Sequence, residues 1–273
     1  MNMEEKVTIE KTGWWKSFLK SEFFYHYKHN IPAIIGSILV VVAILVAVFG
    51  RFLAPQNPYD LTAISLADSY LPPVWLDGGK AGFFLGSDEQ GRDILSAIIY
   101  GSASSIMIGL VGMICSCAIG TTLGLLAGYF GGKVDAVIMR IADMMLAFPG
   151  LVLALAVAGI MGASIRNAII AIVAVNWTKY ARLARSLVMK IRDRDYVAAA
   201  VVTGSKTPYM LLRYMLPNAL PTLIITAATD VGGMMLEIAA LSFLGFGAKP
   251  PTPEWGYMLN EGRACMQSAP WMM

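Results

Sequence analysis

Two stretches without a charged residue set the terms for this chain: residues 31–50, 20 long, and residues 94–132, 39 long. A helix needs about 20 apolar residues to cross roughly 30 Å of hydrocarbon, and inside lipid the backbone must satisfy its own hydrogen bonds. Runs of this length exclude an ordinary soluble domain. Composition agrees, with 57% hydrophobic and 14% charged residues and a mean hydropathy of +0.62, where a soluble domain carries about a quarter charged residues. The chain reads as an all-α, polytopic membrane helical bundle.

Orientation follows from the basic residues, which insertion retains on the cytoplasmic side. Residues 1–30 hold five lysines, whereas residues 51–93 hold three basic residues in 43. The N-terminus is therefore expected inside and the segment 51–100 outside. In the leader, Trp14 with Phe18 and Trp15 with Leu19 stand at i, i+4, with Lys16 and Lys20 on another face. That pattern predicts an amphipathic segment over 1–30 lying on the cytoplasmic surface. The run 31–50 is too long for a signal-peptide core and follows a charged leader, so it reads as a retained first transmembrane helix. His26 and His29 lack an accompanying carboxylate or thiol cluster and read as an interfacial face rather than a metal site.

Residues 94–132 read as one long span, because Lys133 and Arg140 follow it and belong in the cytoplasm. Ser87 and Gln90 have capping-box spacing, which predicts a helix start there. Gly120, Gly124 and Gly128 lie four apart on one face, a small-residue stripe that lets helix backbones approach closely. A third span is expected over 144–165 with a kink at Pro149. The fourth is 167–181, with Lys179 snorkelling to the interface. The fifth is 214–248, interrupted only by Asp230 and Glu237. Residues 249–273 carry four prolines and no further span, so the count is five with the C-terminus outside. Cys115 and Cys117 fall on different helical faces and Cys265 stands alone, which reads as buried thiols, not a disulfide framework or a metal site.

Between the fourth and fifth spans, residues 179–213 hold eight of the 21 basic residues. Such an insert is a cytoplasmic loop. Within it, residues 196–204 and 214–218 read as short helical pieces joined at a glycine, a docking surface for another protein. No HExxH, GxSxG or paired histidine–carboxylate arrangement is present in the sequence, so the chain does not read as an enzyme. Gly78-Gly79-Lys80 and Gly131-Gly132-Lys133 lack the spacing and the serine or threonine of a phosphate loop. If ATP drives this protein, another chain binds it. Asp230 and Glu237 are seven apart, near one helical face. Acids at membrane depth face the bundle interior or a watery route. Two readings stay open for them: a lining of the translocation path, or carboxyls bonded to neighbouring backbone and hydroxyls.

The stretch from Asp195-Tyr196 to Gly204, followed by Leu216-Pro217-Asn218, resembles the coupling-loop motif of ABC importer permeases, which reads Glu-Ala-Ala, three residues, Gly, and later Leu-Pro. Leu85-Gly86-Ser87-Asp88-Glu89-Gln90-Gly91-Arg92-Asp93, Gly124-Leu125-Leu126-Ala127-Gly128-Tyr129-Phe130-Gly131-Gly132, Ala147-Phe148-Pro149, Leu241-Ser242-Phe243-Leu244-Gly245 and Pro253-Glu254-Trp255-Gly256 are similar to the second permease subunit of the dipeptide, oligopeptide and nickel branch. Ala199, Ala200 and Gly204 match the motif, while Ala198 stands where it has glutamate.

The resemblance implies the type I ABC importer transmembrane fold, with a permease domain over 101–273 and a coupling loop at about 186–217. Tyr196, Ala199, Ala200, Gly204, Leu216 and Pro217 are its expected coupling residues, the helix around Ala199 seating in a groove of a cytoplasmic ATPase. The implied partners are a homologous permease chain, two ATP-binding subunits, an extracytoplasmic substrate-binding protein and membrane lipid, with no nucleic acid. No cofactor is expected in this chain, ATP and magnesium belonging to the ATPases. The implied setting is a bacterial inner membrane, and the cargo a short peptide, with nickel the alternative. The resemblance also implies a sixth span beyond Ala269-Pro270-Trp271, so the expectation is a truncated copy. A rival reading is an ion-coupled secondary transporter or channel using Asp230 and Glu237.

Overall fold

The computed structural model describes residues 22–60, 62, 64–249 and 251–273, and its secondary structure there is helical, without a named strand. The aromatic residues of the expected surface helix, Trp14, Trp15, Phe18 and Leu19, lie outside the described residues. Two compact units divide the chain at Val46 and Ala47. The first contributes α1 (Glu22–Lys28) and most of α2 (Ile31–Leu53), the expected first span, whose Ile35, Leu39 and Val42 are exposed.

The second unit is built on α3 (Ile94–Phe130) and α6 (Ile165–Arg192). Here the glycine stripe finds its partner. A Cβ at Gly120 would collide with the carbonyl of Trp177, one at Gly124 with the carbonyl of Ala181, and one at Gly128 would lie 2.8 Å from Val188 Cβ. The contacts advance together along both chains, so α3 and α6 run parallel. Ala181 and Ala184 on α6 are fully buried, and their small side chains complete the close approach. In lipid, where helices gain little from excluding water, such packing holds a bundle together.

Between these two lie α4 (Gly132–Leu146) and α5 (Gly150–Met161), bent by 92° at a break where Pro149 caps α5. The third span is thus not one kinked helix over 144–165. Twelve residues of α5 rise roughly 18 Å, too little to cross alone. The last long helix is α8 (Thr207–Phe243), which contains a π-helical stretch at Met210–Met215 and runs antiparallel to α6. Among the described residues three helices are long and apolar enough to cross a membrane, α2, α3 and α8, and the bent pair makes four. The fourth expected span, 167–181, is part of the longer α6, which is long enough to cross but carries Lys179, Arg182 and Arg185.

At the far end of α3 the loop before it and α9 (Trp255–Ala264) close over a polar hub. The cap of α3 is Asp93, whose carboxylate accepts from Ser96 N–H at 2.8 Å. The expected start at Ser87 is not a cap: that hydroxyl accepts from Leu71 N–H at 2.7 Å and donates to the Asp68 carbonyl, tying the loop to itself. Arg92, only 3% exposed, bonds Asp88 at 2.5 Å and reaches Glu261 at 3.1 Å. Glu254, 1% exposed, caps α9 by accepting from Gly256 and Tyr257 N–H at 2.9 Å each. Trp255 then donates its indole N–H to the Ile98 carbonyl at 3.1 Å. The loop before α3 and the start of α3 are thus each tied to α9, the first by Arg92–Glu261 and the second by Trp255–Ile98.

Burial raises the pKa of Glu261 above its ordinary 4.5; Asp88 and Glu89 add to the rise, and the Tyr257 hydroxyl and Arg92 oppose it. A carboxyl with a raised folded pKa binds protons more readily in the native state. Its contribution is whole below the unfolded value and is lost as pH rises through the folded one. Thermal stability in detergent is expected to fall with rising pH across that window, and Glu261→Gln to flatten the slope; an unchanged slope would remove Glu261 as its source. Gly124→Val is expected to destabilise the α3–α6 pair by about 1–3 kcal/mol, as overpacked cores do. Gly232→Ala is its control, because a Cβ there meets nothing within 4 Å. Equal stability of the two variants would show that the helices do not need contact.

Candidate functional site

The expected docking loop is a short helix, α7 (Asp195–Val202), between α6 and α8. Asp195 in its first turn complements the positive helix N-terminus. Val197 and Ala200, three apart, point inward and pack with Leu125, Val188, Met210 and Met215. Ala200 is 6% exposed and is therefore part of the core beneath the loop. A helix this short must bury one face to hold its place. Tyr196, Ala198, Ala199, Val201 and Val202 face outward, Val202 at 87% exposure.

Gly204 ends α7. Its φ of +81° is open to glycine, and the Ser205 N–H reaches the Ala200 carbonyl while Gly204 N–H reaches that of Val201, each at 3.0 Å. This is a Schellman turn, and it aims the chain into α8. Nothing stands within 4 Å of a Cβ at Gly204, so the residue is set by backbone angle and not by space.

Leu216 and Pro217 mark the next irregularity. The Leu216 N–H bonds the Leu211 carbonyl, an i to i−5 bond that closes the π stretch. Residues five apart then share a face, which lets both Met210 and Met215 be fully buried under α7. Pro217 and Pro221 each lack an N–H and leave carbonyls without their helical donor. Beside the first of them, the Asn218 side-chain amide donates to the Tyr214 carbonyl at 2.6 Å. The Leu-Pro pair thus shapes the root of the loop, and π turns of this kind recur at functional sites.

Asp230 and Glu237 lie on the seam between α8 and α6. Lys179 Nζ is 2.8 Å from Asp230 Oδ2, close enough to pair by charge though not aligned as a hydrogen bond. The Asn176 amide donates to Glu237 at 2.5 Å. Lys179 therefore does not snorkel away; it answers the acid on the facing helix. On the α4 side, Arg185 makes a bidentate pair with Asp135, and Arg182 pairs with Asp143. Asn176, Lys179, Arg182 and Arg185 were not singled out from sequence as site residues. Their spacing of three is a legible stripe, but the acids it meets lie up to 61 residues away.

Lys179→Gln strands the Asp230 carboxylate, which is largely shielded at 22% side-chain exposure. The expected loss is about 1–3 kcal/mol for a charged group without its partner. Adding Asp230→Asn should recover most of it, read by thermal unfolding in detergent. A double variant no more stable than the single would show that the pair is not coupled.

Residues 120–272 match the family described as binding-protein-dependent transport system inner membrane component. Residues 17–73 match the N-terminal TM domain of oligopeptide transport permease C. The chain is 42% identical to the dipeptide transport system permease protein DppC of Haemophilus influenzae over 92% of this chain and 84% of that one. It is 40% identical to the di/tripeptide transport system permease protein DppC of Pseudomonas aeruginosa, over 92% and 82%. It is 35% identical to the glutathione transport system permease protein GsiD of Pectobacterium atrosepticum, over 91% and 80%. With a family match across more than half its length and relatives matched nearly end to end, the chain belongs to the binding-protein-dependent inner membrane components, the ABC importer permeases of the peptide branch.

Proposed function

We propose that this permease forms one half of an ATP-driven path for short peptides. The relatives named for dipeptide, di/tripeptide and glutathione transport all carry cargo of that class, which is the observation that favours peptide over nickel. In this reading the other half is a homologous permease, two ATP-binding subunits sit at the cytoplasmic face, and an extracytoplasmic binding protein delivers the cargo. ATP and magnesium bind to the ATPases, and the N-terminus lies in the cytoplasm of a bacterial cell.

Coupling runs through α7. Tyr196, Ala199 and the exposed valines meet the ATPase, Gly204 turns the chain, and Ala200 transmits the push because it is packed into the core that also holds Met210 and Met215. Leu216 and Pro217 carry the movement into α8. Asp230 with Lys179, and Glu237 with Asn176, are the polar groups bordering the route. Each acid already has a partner within the chain, which favours a fixed lining over the ion relay of the rival reading.

The test is a charge on the outward face. Val202 makes no buried contact, so Val202→Asp is expected to insert and fold normally. Copurification of the ATPase and ATP-driven peptide uptake should both fall roughly tenfold or more, the effect of placing an unpaired charge in a contact. Normal uptake with normal ATPase recovery would sink the docking assignment.

A further inference from the structure

Beside α7 the surface opens into a cleft of about 460 Å³, lined by Lys190, Ile191, Arg194, Asp195, Tyr196 and Asn218. Three elements build it: the end of α6, the start of α7 and the first turns of α8. Its cations differ from the nearest ones on α6; Arg166, at the other end of that helix, also makes no ion pair among the described residues. Lys179, Arg182, Arg185 and Arg192 each pair with a carboxylate. Lys190 and Arg194 make no ion pair among the described residues, and the one acid in the cleft is Asp195. Residues 190–213 hold five basic residues against two acidic ones, an excess equal to the whole chain's +3.

We infer that this cleft receives a carboxylate side chain of the ATPase that docks on α7. The inference rests on the docking reading above and adds the chemistry of its polar contact. Two donors of like charge flanking one cleft fit an acid, and the neighbouring Asn218 amide supplies a neutral edge. Tyr196 belongs both to the cleft wall and to the outward face of α7, at 44% exposure, so a partner covering α7 also closes the cleft. The cleft's own acid, Asp195 on the same helix, is outnumbered by Lys190 and Arg194. The attraction therefore runs from cations on the permease to an acid on the ATPase, beside an apolar ridge formed by Val201 and Val202.

The experiment measures binding of the transporter's own ATPase subunit to the assembled permease pair in nanodiscs of neutral phosphatidylcholine, across a range of salt. Wild type is expected to bind more weakly as salt rises. Lys190→Gln combined with Arg194→Gln should weaken low-salt binding roughly tenfold and lose most of the salt dependence. The exchange Lys190→Arg with Arg194→Lys should restore both, which separates lost charge from lost structure. A double Gln variant that binds as wild type overturns the inference. So does weakening seen only in discs containing anionic lipid, which would make the cleft a headgroup site. Val202→Asp discriminates the deeper failure: if it abolishes binding while the double variant is silent, only the cleft assignment falls. If neither variant matters, the docking reading falls with it.

Discussion

The contact between α3 and α6 is the constraint on which the rest of this bundle depends. Three glycines in register bring the backbones so close that no side chain fits between Gly120 and the Trp177 carbonyl. Dispersion acts over short range, so the gain comes only from this intimacy. With those two helices fixed in parallel, α8 can pack against both, and Tyr180, Ala184, Ala219 and Leu223 form one buried cluster.

That arrangement also explains how a charged helix belongs in a membrane bundle. α6 carries its cations along a stripe, and the flanking helices α4 and α8 present acids to it. An isolated charge in hydrocarbon is expensive, whereas a paired one facing the interior is tolerated. The seam ties three helices by directional contacts, which complements the non-directional glycine packing. A rocking motion of α8 against α6 has to break or carry along the Lys179–Asp230 and Asn176–Glu237 contacts together.

The two ends are built differently. At one, Arg92 ties the pre-α3 loop to Glu261 of α9, and Trp255 of α9 ties to the Ile98 carbonyl of α3, while Asp88 and Glu254 fix the loop and the helix cap locally. At the other, α7 is held by a few apolar side chains over a π turn and leaves most of its surface free. The second end is the less firmly held of the two, since local stability follows buried contacts.

Hydrophobic runs alone were enough to read the membrane class, the helical secondary structure and the positions of α2 and α3, because lipid admits few other backbone solutions; α8 instead begins at Thr207, takes in residues 214–218 that read as a separate short piece, and ends at Phe243. The motif of residues 195–217 likewise located α7 and the glycine turn, since a Schellman stop is a local matter of backbone angle. Other features needed the folded chain. The break before Pro149 became a 92° bend, the cap of α3 moved from Ser87 to Asp93, and Ala200 took the inward face of α7. Each depended on what stood opposite: Ser87 was claimed by Leu71 and Asp68, and Ala200 by Leu125 and Met210. The pairing of Lys179 with Asp230 belongs to the same group. Sequence determines which residues can be polar, small or helical, but which charge meets which, and which face of a short helix is left for a partner, is decided by contacts between residues far apart in the chain.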